Sequence, residues 1–169
     1  GDAASASKTF DALLGRTTDE AKAADLLLEK AKAVEASGKL DEALAAYKQV
    51  ETRAPKRDAA LFAALARSRL LAKDEPGEAA DVLGRLLDGD DARDRLKAIN
   101  QPVDALLAER GWDLVDAGKL DDADKVFADL LAEFSNGSYA ADARFNLAES
   151  ANARKDFAEV EKLLSPLVD

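Results

Sequence analysis

Cysteine, histidine and methionine are all missing from this chain of 169 residues. Without cysteine there are no disulfides, thiol nucleophiles or thiolate metal sites, and the redox compartment is left open. Without histidine, the commonest general base and most transition-metal sites are gone as well. With no methionine left as an initiator, a chain opening on Gly1 is expected to be a processed or excised piece of a longer protein. Aromatic residues make up 5% of the chain and Ile99 is its only isoleucine, a composition that disfavours strands. No apolar run approaches the roughly 18 residues of a membrane-spanning helix, and the first residues carry no signal-peptide pattern.

A basic stripe is missing too. The net charge is −10 with a pI near 4.6, and acids and bases alternate along the chain instead of separating. The electrostatic footprint of nucleic-acid binding is therefore absent, an anionic membrane surface would repel the chain, and it is expected to be soluble. No glycine-rich phosphate loop follows a strand, and acidic pairs are too abundant to single out two, so a carboxylate-only hydrolase is the one enzymatic alternative left. The expectation is a chain that is not an enzyme and needs no cofactor or metal.

What is present is small and aliphatic: 47% of the residues are hydrophobic, and about one residue in five is alanine. Glycine and proline stand mostly at the ends of periodic segments, which favours helix throughout. One phrase recurs, GKLDEALAAYKQVETRAP from Gly38 and GKLDDADKVFADLLAEF from Gly118, with a weaker echo KDFAEVEKLLSPL from Lys155. One helical unit is being stacked several times.

Periodicity divides the chain into helix pairs. The first runs over 19–36, with Ala23, Leu27, Ala31 and Val34 on one stripe and Thr17 with Glu20 as a capping box, and returns over 40–52 with Ala43, Ala46, Tyr47 and Val50 inward before Pro55. The second runs over 58–73, with Phe62, Leu65, Ala66 and Leu70 inward, and over 76–87 with Ala79, Leu83 and Leu86, Pro76 taking the first helical position. The third, 102–117 and 120–134, buries Leu107, Gly111, Leu114, Ala123, Phe127 and Leu130. The fourth begins at Ser138 as N-cap, runs to 154, and resumes over 157–167. Ahead of them, Ala6, Phe10 and Leu13 have the pattern of a closing helix.

These residues resemble the tetratricopeptide repeat, a helix–turn–helix unit of about 34 residues. The resemblance rests on Ala31, Gly38, Leu40, Ala43, Tyr47 and Pro55 in the first pair, and on Gly111, Gly118, Leu120, Ala123 and Phe127 in the third. The fourth pair keeps Leu147, Ala148, Phe157 and Leu164 but has Val160 for the small alanine and Lys155 for the turn glycine. It implies an all-α, right-handed α-solenoid of antiparallel hairpins in a single domain: one stray N-terminal helix, then repeats at 19–55, 58–87, 102–135 and 138–169. An insertion at 88–101 interrupts the stacking and is expected to bend the array or shape its groove. Within it, Asp90 or Asp91 caps a short helix through Leu96 and Ile99; a calcium loop is disfavoured because Arg93 and Asn100 stand where glycine and glutamate are needed. Asn136-Gly137-Ser138 reads as a turn.

The resemblance also implies a scaffold that binds a protein or peptide in a concave groove. Trp112, the only tryptophan, falls at a groove-facing place beside Gly111, and by the same alignment Phe145, Lys32, Glu35, Arg67, Asp116, Glu149 and Asn152 face the concavity. For Trp112 the competing reading is packing against a neighbouring helix; for the charged residues it is an ordinary solvated face. The family's basic clamp for a C-terminal carboxylate is disfavoured because Leu28, Ala63, Ala108 and Phe145 stand at the comparable places. An apolar helix or extended segment is the expected cargo. The ends LLSPLVD and SASKTF lack the polar outer face of a finished array, so self-association through them is a further expectation. The run from Phe127 through YAADARFNLAES resembles repeats of bacterial cell-envelope proteins, which implies a periplasmic or envelope adaptor, with a cytoplasmic assembly or regulatory scaffold as the alternative.

Overall fold

A computed structural model describes residues 3–89 and 91–168, with the backbone alone for residues 3–8. The expectations placed on Gly1, Asp90 and the side chain of Ala6 lie outside the described residues. Ten α-helices account for most of it, and no strand occurs among the described residues. The helices are α1 (Ala3–Leu14), α2 (Glu20–Ala36), α3 (Leu40–Arg53), α4 (Asp58–Leu71), α5 (Pro76–Leu87), α6 (Ala92–Ala98), α7 (Val103–Asp116), α8 (Leu120–Glu133), α9 (Ala140–Ala153) and α10 (Phe157–Leu164), with a 3-10 turn at Ser165–Leu167. The chain divides into two compact units at Lys73/Asp74. No helix is long and apolar enough to cross a membrane among the described residues.

In unit 1, α1 packs on α2, and α3 lies between α2 and α4. Short turns force consecutive helices antiparallel. Their shared core gathers Leu27, Leu28 and Ala31 of α2, Tyr47 and Val50 of α3, and Ala59, Ala63 and Ala66 of α4. Tyr47 is the largest residue in that core, and its hydroxyl escapes isolation by donating to the Glu35 carboxylate. Burial and that hydrogen bond together push the Tyr47 pKa well above the ordinary phenol range.

In unit 2, α7 packs on α5 and α8, α9 on α8 and α10. Phe127 fills the α7–α8 crossing, 1% exposed, and Gly111 makes room for it. The insertion does not interrupt this stack: α5 and α7 pack directly together, while α6 rests against both. Leu96 of α6 is fully buried, and the Arg93 guanidinium pairs with Glu133 at the end of α8. The expected break in the stacking is replaced by a short helix at its side.

The turns show why the repeated phrases work. Gly38 and Gly118 have φ of 77° and 71°, the left-handed region that ends a helix at little cost in glycine. Lys155 holds the same place with φ 62°, and Asn100 ends α6 with φ 57°. Around Lys155 the Asp156 amide donates to Ala151 O (2.9 Å) and the Lys155 amide to Asn152 O (2.9 Å), the Schellman pattern, which Lys119 and Gly118 repeat with Leu114 and Val115.

Three local expectations are corrected. Thr17 does not cap α2: its hydroxyl donates back to Leu13 O (2.8 Å), and the Asp19 carboxylate accepts from the Ala21 and Lys22 amides at 2.9 and 3.3 Å. Those amide bonds hold the Asp19 pKa below the usual carboxylate value. Ser138 is not the cap of α9, which starts after Tyr139 with no side-chain cap. Phe62 is 38% exposed, not inward. The helix DAALFAALARSRLL is apolar at almost every position, so periodicity could not single out its buried face.

Candidate functional site

The residues read as groove-facing are divided between the units. In unit 1, Arg67 is 4% exposed and grips Glu51 through two bonds, Nε to Oε1 at 2.7 Å and Nη2 to Oε2 at 2.9 Å. A fork-on-carboxylate pair of this kind fixes both side chains and braces α4 against α3. Glu35 accepts from Tyr47, as above, and Lys32 donates to Glu29 at 2.8 Å on the exposed side of α2. Arg67 and Glu35 thus have intramolecular partners, and Lys32 makes only a solvated pair one turn away.

Unit 2 collects the others on α7 and α9. Trp112 is half-buried, and its ring meets Tyr139 edge-on, centroids 5.9 Å apart at 72°. Such a contact holds the indole in one orientation without covering it. Phe145, 54% exposed, stands on α9 with Glu149 one turn later and Asn152 one turn beyond, so the three share a face. Asp116 is exposed at the last residue of α7. A recess of about 170 Å³ opens where α7, α8 and α9 meet, lined by Val115, Phe127, Asn146 and Glu149 among others.

Of the four places compared with a carboxylate clamp, Leu28, Ala63 and Ala108 are 6%, 0% and 1% exposed, so they are core positions. Phe145 alone of the four is exposed. Val115 and Asn146 carry no signal of their own in the sequence, and Tyr139 stands there only as the first residue of the YAADARFNLAES run, with no role at the site. Asp113 was missed as well. It is 8% exposed, and burial, with the Glu109 and Asp116 charges adding, raises its pKa from 3.8 to about 6.

Asp113 does not line the recess; the carboxylates that do are Glu149 and Asp124, which accepts from Arg154 Nη1 at 2.9 Å.

A search of the curated proteins found no match. Among solved structures, a tetratricopeptide repeat protein from Parabacteroides merdae superposes with a TM-score of 0.64 at 20% identity, over 99% of this chain and 60% of that one. The present chain therefore spans about three fifths of that relative's length. Two structures of nearly identical TPR-like repeats from Podosopora anserina, described under the name kinesin light chain, superpose with a TM-score of 0.61. They are 17% and 16% identical, over 97% and 96% of this chain and 84% of each of those. At such identities the likeness concerns the fold. A tetratricopeptide repeat family model matches residues 1–58 and 109–160, the stretches that carry the Gly38, Gly118 and Lys155 turns. The chain belongs to the tetratricopeptide repeat family, whose members are generally protein–protein interaction scaffolds.

Proposed function

We propose that α7 and α9 of unit 2 hold a partner protein against Trp112 and Phe145, and that the chain works by recognition without chemistry. The observation that carries this reading is Phe145: a phenylalanine 54% exposed on α9, the helix that Tyr139, in edge contact with the half-buried Trp112, immediately precedes. Large aromatics held rigid and left partly in water are the usual anchors of protein interfaces. The acids Asp116 and Glu149 flank them, so the cargo is an apolar helix or extended segment with basic residues at its edges. The helices already hold these side chains in place, and the partner bears most of the ordering cost.

The test is affinity capture with the whole chain from lysate of the source organism, followed by binding measurements on the captured partner. Phe145→Ala removes an exposed ring and should leave the fold intact while weakening binding by about 1–3 kcal/mol. Trp112→Ala should act in the same direction. Unchanged affinity in both variants would remove this face from the binding site.

On the resemblance of the stretch from Phe127 to envelope repeats, we place the protein in the bacterial periplasm or envelope as an adaptor, with a cytoplasmic scaffold as the alternative. Fractionation of cells expressing the natural gene decides between them. A second reading, self-association, is favoured by Phe157, Leu167 and Val168, which are 66%, 44% and 86% exposed at the end of unit 2. It predicts concentration-dependent dimerisation in sedimentation velocity, reduced by Phe157→Ser; a strict monomer at all concentrations would end it.

A further inference from the structure

In an acidic chain, one cavity is lined by cations. It lies wholly in unit 1, where the end of α1, the first turns of α2 and the turn between α3 and α4 enclose about 500 Å³. Leu14, Ala24 and Leu27 form an apolar floor, and Arg53, Lys56 and Arg57 line the side made by the turn. Glu20 is the one acid in the lining. The nearby Asp19 carboxylate is engaged by the Ala21 and Lys22 amides. The lining thus carries an excess of positive charge, while the whole chain stands at −10.

The three cations do not serve the fold equally. Arg57 has interactions of its own within the chain, and its charge acts on Asp19. Arg53 and Lys56 are exposed, and among the described residues neither meets a carboxylate within 4.0 Å. Two unpaired cations beside an apolar floor of ligand-binding size suit a guest that is both anionic and apolar. Arg53 ends α3 and Lys56 stands three residues later in the turn, so two side-chain carboxylates of a peptide can meet one cation each.

We propose that this cavity binds an acidic peptide segment, seating a bulky aliphatic side chain on Leu14, Ala24 and Leu27 while flanking carboxylates pair with Arg53 and Lys56. This site is separate from the aromatic face of unit 2, and its occupant has the opposite charge preference. The probe is a fluorescein-labelled peptide Glu-Glu-Leu-Leu-Glu-Glu, followed by anisotropy with the whole chain. Saturable binding is expected, weakened at least about tenfold by Arg53→Gln with Lys56→Gln, weakened by added salt, and weakened comparably when the glutamates become glutamines. Both substitutions touch exposed, unpaired side chains, so the variant should keep the wild-type circular dichroism. Amide shifts in NMR titration should map to α1, the start of α2 and the α3–α4 turn. Absence of saturable binding, full affinity for the glutamine peptide, full affinity in the double variant, or shifts confined to α7 and α9 would each overturn the proposal. Displacement of the peptide by decanoate at equal concentration would overturn the peptide as guest. None of these results bears on Phe145, so the two sites stand or fall apart.

Discussion

Gly111 lies under the ring of Phe127 so closely that a Cβ added there would sit 2.5 Å from Cε1. The ring is buried at the α7–α8 crossing and cannot swing away, so Gly111→Ala must push the helices apart. The expected cost is about 1–3 kcal/mol, read as a lowered urea midpoint. Two residues later, Asp113 presents the opposite case, a residue whose removal should help. Its carboxyl titrates near 3.8 when unfolded and at about 6 when folded. Above pH 6 the folded state therefore carries a charge that it disfavours, and the penalty fades as pH falls from about 6 to 3.8. Asp113→Asn should raise stability by about 1–2 kcal/mol at pH 7.5 and by much less at pH 4, compared by thermal melts of both proteins at each pH. An equal gain at both pH values would locate the effect elsewhere.

At the scale of the helix and its turn, the sequence was most readable where a backbone requirement leaves a residue type behind. Gly38 and Gly118 announced left-handed turns, and Lys155 was recognisable as an intruder at the same place; all three have positive φ. Lys155→Gly should therefore stabilise the α9–α10 turn by about 0.5–1 kcal/mol, measured by chemical denaturation, since the lysine side chain pays a steric penalty that glycine avoids. Buried stripes were equally legible where polar residues flank them: Ala43, Tyr47 and Val50 of α3 and Ala123, Phe127 and Leu130 of α8 are all buried. They were illegible in α4, where nearly everything is apolar, and Phe62 came out exposed. The start of α2 was misread because two acceptors compete there, and Asp19, adjacent to the free amides, wins over Thr17, which is engaged by α1. The side helix α6 was foreseen, but its position was not: only tertiary contact decides whether an inserted helix wedges into a stack or rests on it. The same limit applies to the binding residues. Alignment could place Arg67 and Glu35 on a helix face, but their partners Glu51 and Tyr47 come from another helix and become visible only on folding.

At the scale of the whole molecule, the chain is a tetratricopeptide repeat protein, and what such a fold offers is surface. Its two units offer different surfaces: an aromatic pair with acidic neighbours in unit 2, and an apolar cavity with unpaired cations in unit 1. The central claim is that the aromatic face of unit 2 is where a partner protein is held. Trp112 is the only tryptophan, so protein made with 5-fluorotryptophan gives a single ¹⁹F resonance that reports from that face alone. Titration with the captured partner should shift or broaden this resonance saturably, with the dissociation constant found by an independent method and with a weakened response in Phe145→Ala. A resonance that does not change while the partner is demonstrably bound would contradict the account.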